Sequence, residues 1–244
     1  SKWWLPHSLT SLASTLEEIG GTLTLRRGPA REVIPQLMAE TGASGISWNR
    51  RYGASREIDQ ELKTQLREQG HEVESFQANV LFEPWTVHNK EGRPFQVFTP
   101  FWKTALNLEP RREPLDAPTS LEAAQGIASD DLDSWGLLPT SPDWTGGLQE
   151  TWTPGEHGAH ARLSAFLDGG LAIYHRRDEP GIMATSMLSP HLRFGEISPF
   201  QVWHETMSET DPDAIKNRDK FLSEVGWREF MINVLYQYPR LHLE

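Results

Sequence analysis

The sequence contains no cysteine among its 244 residues, which excludes disulfide bonds and thiolate metal sites. No apolar run reaches the length of a membrane span, and the opening residues show no signal-peptide pattern. The nine histidines lack a metal-ligand spacing such as HxxxH. The glycine-rich loops GxGxxG and GxxxxGK are also absent, which counts against the common nucleotide-binding motifs. We therefore expect a soluble cytoplasmic protein with no bound metal and no membrane association.

The chain also lacks a basic excess. Its formal net charge is −11, whereas a DNA-binding domain usually presents a basic surface. Basic residues nevertheless occur in local clusters, at Arg26–Arg27, Arg50–Arg51, Arg111–Arg112 and His175–Arg177. The alternative of a localised basic patch on an otherwise acidic protein therefore stays open.

Helix and strand patterns alternate over the first hundred residues. Apolar residues at helical spacing predict a helix over residues 4–19, and Pro29 opens a second helix that Gly42 ends. Ser55 is expected to cap a third helix that runs through Leu66. Strands are predicted at Thr22–Leu25, Gly45–Trp48 and Glu72–Phe76. Such alternation implies a parallel sheet covered by helices.

The composition changes after this α/β region. Residues 109–155 are rich in Pro, Gly, Asp and Ser, which predicts an interdomain linker. Helical patterns follow, with a short helix at Leu188–Phe194, a helix that Pro199 opens and a long helix over Ala214–Tyr236. We therefore expect an α/β domain over residues 1–108, a linker over 109–155 and a helical domain over 156–244.

The segment Thr185–Ser198 has the composition of an anion site. Thr185, Ser186 and Ser189 supply hydroxyls at the mouth of a predicted helix. The first N–H groups of a helix lack internal partners and the dipole there is positive, so a phosphate suits this position. A single serine or threonine at such a place is more commonly a helix cap. The whole segment is longer than a cap requires, which favours a ligand.

The long helix carries a second candidate site. Glu224, Trp227, Arg228 and Met231 stand at positions i, i+3, i+4 and i+7, which predicts a shared face. The alternative is a solvated Glu224–Arg228 ion pair, worth roughly 0.2–0.5 kcal/mol. A tryptophan beside such a pair is better explained by a cavity lined by a carboxylate, a guanidinium and an indole. An indole face suits a base lifted out of a duplex.

These two segments resemble a known family. The stretch Thr185–Ser198 resembles the flavin-binding signature of the DNA photolyase and cryptochrome family, and Phe221–Phe230 resembles that family's next signature. The resemblance implies a Rossmann-like α/β domain, a linker and the first helices of an all-α flavin-binding domain. It also implies FAD as the cofactor. The residues implied to hold FAD are Tyr174, Thr185, Ser186, Met187, Leu188, Ser189, Phe221, Glu224 and Arg228.

The resemblance further implies damaged DNA as the partner. Trp227 is implied to stack on a flipped pyrimidine dimer and Glu224 to hydrogen-bond it, and these two are the implied catalytic residues. The implied DNA contacts are Arg177, Glu224, Trp227, Arg228 and Met231. The implied reaction is the light-dependent splitting of cyclobutane pyrimidine dimers by an electron from reduced flavin. Two alternatives stay open: a cryptochrome-like photoreceptor that binds flavin without repair, and a (6-4) photolyase.

The segment Trp48–Glu57 resembles the family's antenna region. A second, antenna chromophore of unidentified chemistry therefore stays open. Members of the family extend further at both ends, so we expect a fragment that lacks the N-terminal start and the C-terminal part of the flavin domain. We expect this fragment to be inactive alone and the full-length protein to be a monomer.

Overall fold

The structure, a computed structural model, describes residues 2–108, 112–212 and 214–241. Arg111 of the predicted basic clusters lies outside the described residues, as do 109–110 of the predicted linker and 213 and 242–244 of the predicted helical domain. The elements are α1 (Trp4–Glu18), α2 (Ala30–Thr41), β1 (Gly45–Asn49), α3 (Arg56–Glu68), β2 (Glu72–Phe76), α4 (Phe98–Leu106), a 3-10 turn (Asp133–Trp135), α5 (Gly146–Thr151), α6 (Glu156–Ala165), a π-turn (Phe166–Gly170), a second 3-10 turn (Tyr174–Arg176), α7 (Ser189–Phe194), α8 (Pro199–Met207) and α9 (Ile215–Gln237).

The chain forms two compact units, and each is discontinuous in sequence. The first comprises Ser1–Gly45, Leu115–Leu163 and Met187–Ile197, and the second comprises Ile46–Pro114, Ser164–Ser186 and Ser198–Glu244. Residues of the predicted linker from position 115 onward therefore pack in the first unit. The division into domains at 1–108, 109–155 and 156–244 stays a prediction.

Helices α1 and α2 of the first unit are confirmed where the sequence predicts them. Gly20, just after α1, has φ +83°, and Gly42 at the end of α2 has φ +66°. Only glycine adopts this left-handed region without a steric cost, so these residues end the helices as expected.

The predicted strand Thr22–Leu25 is wrong, because no strand occurs there among the described residues. The backbone of this segment pairs with an irregular loop instead. The Leu25 N–H donates to the Ser129 hydroxyl at 2.9 Å, and the Asp130 N–H donates to the Leu25 carbonyl at 2.7 Å. These bonds satisfy the N–H and the carbonyl of Leu25 outside a strand ladder.

In the second unit, β1 and β2 form a small parallel sheet with α3 as the connection between them. The Arg50 N–H donates to the Phe76 carbonyl at 2.9 Å. Leu66 of α3 is fully buried and Val73 of β2 is 3% exposed, so the helix covers the sheet with the apolar stripe that its spacing predicts. The α/β class is thereby confirmed. Ser55 does not cap α3, because its backbone is already helical and its side chain makes no cap bond.

Helices α4, α8 and α9 pack together in the second unit. Pro199 opens α8 as predicted, and Ser198 and Gln201 form a reciprocal capping box there. Along α9, Leu222 and Val225 are buried on the predicted apolar side. Among the described residues, no helix is both long and apolar enough to cross a membrane.

Candidate functional site

An exposed stripe runs along α9 in the second unit. Trp227 is 42% exposed and Met231 is 49% exposed. Glu224, one turn earlier, is half-buried and forms an ion pair with Lys220 at 2.8 Å. The structure therefore brings a carboxylate, an indole and a thioether to one side of the helix, as their spacing predicts.

The indole of Trp227 stacks on Phe98, the first residue of α4. The ring centroids are 3.9 Å apart and the ring planes differ by 12°. Phe98 in turn lies nearly parallel to Trp102, one turn further along α4, with centroids 6.2 Å apart and planes at 14°. Three aromatic rings thus form a column, which we call the aromatic column, and the exposed indole of Trp227 stands at its end.

Gly226 allows α9 to approach this column closely. A Cβ atom at Gly226 would lie 2.6 to 2.8 Å from atoms of the Trp102 ring. That separation is shorter than any normal van der Waals contact, so a side chain at this position would displace the indole. The glycine beside Trp227 is therefore required by packing.

Arg228 does not join the exposed stripe. Its guanidinium donates to the Asn79 carbonyl at 2.7 Å and to Oε1 of Glu229 at 3.0 Å. The predicted alternative of a Glu224–Arg228 ion pair is wrong, because each residue has another partner. Arg228 links α9 to the segment that follows β2.

Glu229 completes this link from a fully buried position. Its Oε2 accepts the Leu81 N–H at 2.6 Å and the Phe82 N–H at 3.3 Å. Burial raises the pKa of Glu229 to about 7, although Arg228 and the two backbone donors act in the opposite direction. The buried carboxyl group of Glu229 therefore holds residues 81–82 against α9.

Tyr174, Arg177 and Phe221 come together elsewhere in the second unit. Tyr174 is buried, and its ring meets that of Phe221 edge to face at 5.5 Å and that of Phe166 at 5.7 Å. The guanidinium of Arg177 lies 5.2 Å from the centre of the Tyr174 ring. Burial raises the pKa of Tyr174 to about 12, with a further contribution from the charge of Glu224. Tyr174 is therefore a neutral, buried ring at physiological pH.

The predicted phosphate segment continues from the second unit into the first. Thr185 is exposed and Ser186 is half-buried in the second unit. In the first unit, Met187 has φ +53°, and it is the one non-glycine residue with positive φ among the described residues. Leu188, which follows, is right-handed with φ −85° and ψ −7°. Alternation of left- and right-handed residues turns successive N–H groups toward one point, which makes an anion-binding concavity.

Helix α7 starts immediately after this alternation. Ser189 is its first helical residue, and the cap position is held by Leu188, which forms no side-chain cap bond. The alternative role of Ser189 as a helix cap is therefore wrong. The N–H groups of the first turn have no partner inside the helix, and the exposed Ser189 hydroxyl adds a further donor beside them.

A buried polar cluster anchors α7 in the first unit. Nδ1 of His191 and Oε2 of Glu196 are 2.5 Å apart, and the Trp4 indole N–H donates to Oε1 of Glu196 at 2.7 Å. Burial favours the neutral form of Glu196, but bonds from His191, Ser8 and Trp4 outweigh it and lower the pKa of this carboxyl. An ionised Glu196 thus ties both ends of α7 to α1.

Comparison with known proteins identifies the family. The DNA photolyase family profile matches residues 1–119. A deoxyribodipyrimidine photo-lyase from Agrobacterium fabrum is 43% identical over 243 residues, which cover 98% of this chain and 51% of that protein. Cryptochrome-1 from Arabidopsis thaliana is 31% identical over 99% of this chain and 37% of its own length. The crystal structure of a bacterial class III photolyase from Agrobacterium tumefaciens superposes with a TM-score of 0.95 at 43% identity, covering 98% of this chain and 50% of that one.

The chain contains a DNA photolyase family domain over residues 1–119. It spans about half the length of the photolyases it matches. The resemblance to the DNA photolyase and cryptochrome family is thereby confirmed.

The candidate site includes residues that the sequence analysis does not select. These residues are Phe98, Gly226 and Glu229. The sequence signal for Phe98 is its i, i+4 spacing with Trp102. For Glu229 there was no local signal, because its partners Leu81 and Phe82 are 148 and 147 residues away.

Several arginines of the predicted basic clusters are paired with carboxylates. The pairs are Arg26–Glu40, Arg50–Glu83, Arg51–Asp59 and Arg176–Glu179. Neutralised in this way, they contribute little to a long-range positive field. Arg177, which faces the Tyr174 ring, is the member of these clusters that stays a candidate for DNA contact.

A separate cavity of about 440 Å³ lies in the second unit where β1 and β2 end. Its lining combines aromatic rings with cationic side chains, including Trp48, Arg50, Arg51, Arg56, Trp85 and Tyr236. The guanidinium of Arg56 lies 4.3 Å from the centre of the Tyr236 ring. The cavity is thus built partly from the segment that resembles the antenna region.

Proposed function

We propose that the protein containing this chain is a flavin-dependent DNA photolyase, which splits cyclobutane pyrimidine dimers under blue light. The observation that carries this proposal is the exposed indole of Trp227 at the end of the aromatic column, beside Glu224. A flat, partly exposed ring beside a carboxylate provides both a stacking surface and a hydrogen-bonding group for a flipped base.

The cofactor of this proposal is FAD. The residues that follow Ser186 fit its diphosphate, because the left-handed Met187 and the uncapped first turn of α7 direct N–H groups outward. Ser189 adds a hydroxyl donor beside these N–H groups, and the resemblance of the sequence signature assigns Thr185 and Ser186 to the same phosphates. When bound, FAD supplies the light-excited electron that opens the dimer. The protein residues bind and orient the cofactor and the lesion, and they exclude water from the site.

Trp227, Glu224 and Met231 are assigned to the lesion. The Trp227 indole stacks on one pyrimidine ring, and the Glu224 carboxylate accepts hydrogen bonds from the base edge. Met231 extends the apolar surface along the same stripe, where its flexible thioether adapts to an irregular shape. Arg228 supports the site through residues 79–82, while Arg177 is positioned near the Tyr174 ring for a phosphate contact.

The test of function is repair of a defined lesion. The protein should be reduced and illuminated with blue light in the presence of an oligonucleotide that carries one thymine cyclobutane dimer, with a dark sample as control. We expect restored thymines in the light and none in the dark. A flavin-containing protein that leaves the dimer intact would support the photoreceptor alternative, and repair of only a (6-4) photoproduct would support the (6-4) alternative.

The test of the site is the variant Trp227→Ala. Loss of a base-stacking surface costs about 1–3 kcal/mol of binding free energy, so affinity for dimer-containing DNA should fall about 5- to 150-fold. Trp144→Ala is the matched control, since Trp144 is 62% exposed but lies in the first unit. Unchanged lesion affinity in Trp227→Ala, or an equal loss in Trp144→Ala, contradicts the assignment.

A second, antenna chromophore is a separate proposal. The aromatic and cationic lining of the cavity beside β1 and β2 supports a planar, anionic chromophore there. We expect the purified protein to show absorbance in addition to that of its flavin. This additional absorbance should be lost in Arg56→Ala and kept in Arg93→Ala. Arg93 is a suitable control because its side chain is 77% exposed outside this cavity.

A further inference from the structure

We infer that Phe98 is a positioning residue for lesion recognition, which holds the Trp227 indole in place and covers one of its two faces. The inference rests on the proposed function, since it concerns the orientation of the Trp227 indole toward a bound base. Its observations are the 3.9 Å centroid separation and the 12° angle between the two ring planes. No other described pair of rings in the protein lies so close together.

The support is built from the geometry of α4. Phe98 and Trp102 are four residues apart, so their rings project from the same side of the helix. Gly226 lets the backbone of α9 approach Trp102, which brings the neighbouring residue Trp227 over Phe98. The three rings are thus stacked by two helices rather than by one flexible loop.

The physical consequence is preorganisation of an exposed tryptophan. A large side chain on a helix surface exchanges among rotamers, and binding a base would require one of them to be selected. The contact with Phe98 selects a rotamer before the ligand arrives, so less conformational entropy is lost on binding. The stacked pair of rings therefore fixes the orientation of the indole, in addition to burying apolar area.

The second consequence is a one-sided surface. Phe98 occupies one face of the indole, while the side chain of Trp227 keeps 42% of its area exposed. A single planar group then fits on the column, and the indole does not insert between two stacked bases. This arrangement favours one extrahelical pyrimidine ring over intact duplex DNA.

The test is a double-mutant cycle with two DNA probes. The probes are an oligonucleotide duplex with one thymine cyclobutane dimer and the same duplex without damage. The variants are Phe98→Leu, Trp227→Ala and both together, with Phe98→Tyr as the conservative replacement and Phe76→Leu as the control. Phe76 is suitable because it is a phenylalanine that is 50% exposed at the end of β2, outside the aromatic column.

We expect Phe98→Leu to weaken dimer binding about two- to twelvefold, which corresponds to the usual contribution of a stacked aromatic pair. Affinity for undamaged DNA should not change, and Phe98→Tyr should bind the dimer as the wild type does. In the Trp227→Ala background, Phe98→Leu should have no further effect, because its role passes through the indole. An equal loss in both backgrounds would mean a general structural role and would overturn the inference.

A fluorescence measurement separates this inference from the proposed function. The emission of Trp227 is obtained as the difference between the wild type and Trp227→Phe, and its quenching by acrylamide is measured with Phe or Leu at position 98. We expect stronger quenching with Leu. If the wild type shows no preference for the dimer, the proposed function fails, whereas unchanged quenching shows that Phe98 does not hold the indole.

Discussion

The buried carboxyl group of Glu229 should make the stability of the protein depend on pH near neutrality. Its pKa rises from an ordinary value of 4.5 to about 7, chiefly because it is fully buried. The folded state therefore binds a proton more tightly than the unfolded state. Its contribution to stability is fully present below pH 4.5 and is lost as the pH rises through about 7.

The magnitude follows from the difference between the two pKa values. Each pKa unit corresponds to about 1.36 kcal/mol, so the free energy of unfolding should lose about 3 kcal/mol from this group between pH 4.5 and pH 8. Glu229→Gln removes the titration while it keeps an acceptor for the N–H groups of Leu81 and Phe82. The variant should therefore lack this part of the pH dependence.

The assay is urea unfolding of the wild type and Glu229→Gln at several pH values from 5 to 8. Other groups titrate in both proteins, so the informative quantity is the difference between their unfolding free energies at each pH. This difference should move by about 2.5 kcal/mol in favour of the variant as the pH rises from 5 to 8. Glu91→Gln is the control, because its carboxylate is 68% exposed. Parallel curves for the wild type and Glu229→Gln would refute the reasoning.

Two further variants test other parts of the chain. Ser186→Ala combined with Ser189→Ala should reduce the flavin retained on purification, because phosphate oxygens lose hydroxyl donors; unchanged flavin absorbance per protein would contradict the phosphate assignment. Gly226→Ala should lower the free energy of unfolding by about 1–2 kcal/mol, since its methyl group would overlap the Trp102 ring and the gain in helix propensity offsets only part of that cost. The matched variant Gly147→Ala, which has open space around its Cβ, should not destabilise the protein, and thermal unfolding distinguishes the two.

Local patterns in the sequence predicted most of the helices. Apolar spacing predicted α1 and α3, proline predicted the starts of α2 and α8, and glycine predicted where α1 and α2 end. These signals are reliable because each one acts within a turn or two of the chain. The two family signatures are equally local, which is why the family could be identified before the fold was known.

Long-range contacts decided what the local patterns left open. The segment Thr22–Leu25 has the composition of a strand, but the backbone of Leu25 bonds to Ser129, 104 positions away, and to the neighbouring Asp130. Ser55 resembles a helix cap, yet the chain is already helical there. In the first case tertiary partners satisfied the backbone in a way that intrinsic preference does not reveal. In the second, the N–H groups of Arg56 and Glu57 bond to the carbonyls of Gly53 and Ala54 in the preceding turn, so no side-chain cap is used.

The candidate site shows the same division. The sequence by itself determined that Glu224, Trp227 and Met231 share one stripe, since helical periodicity is independent of the surroundings. Only the tertiary structure decided that Phe98 lies against Trp227 and that Arg228 turns to Asn79. The partners in these two contacts are 129 and 149 residues apart in the chain. Across such a distance, the packing of the helices decides which polar or aromatic groups come into contact.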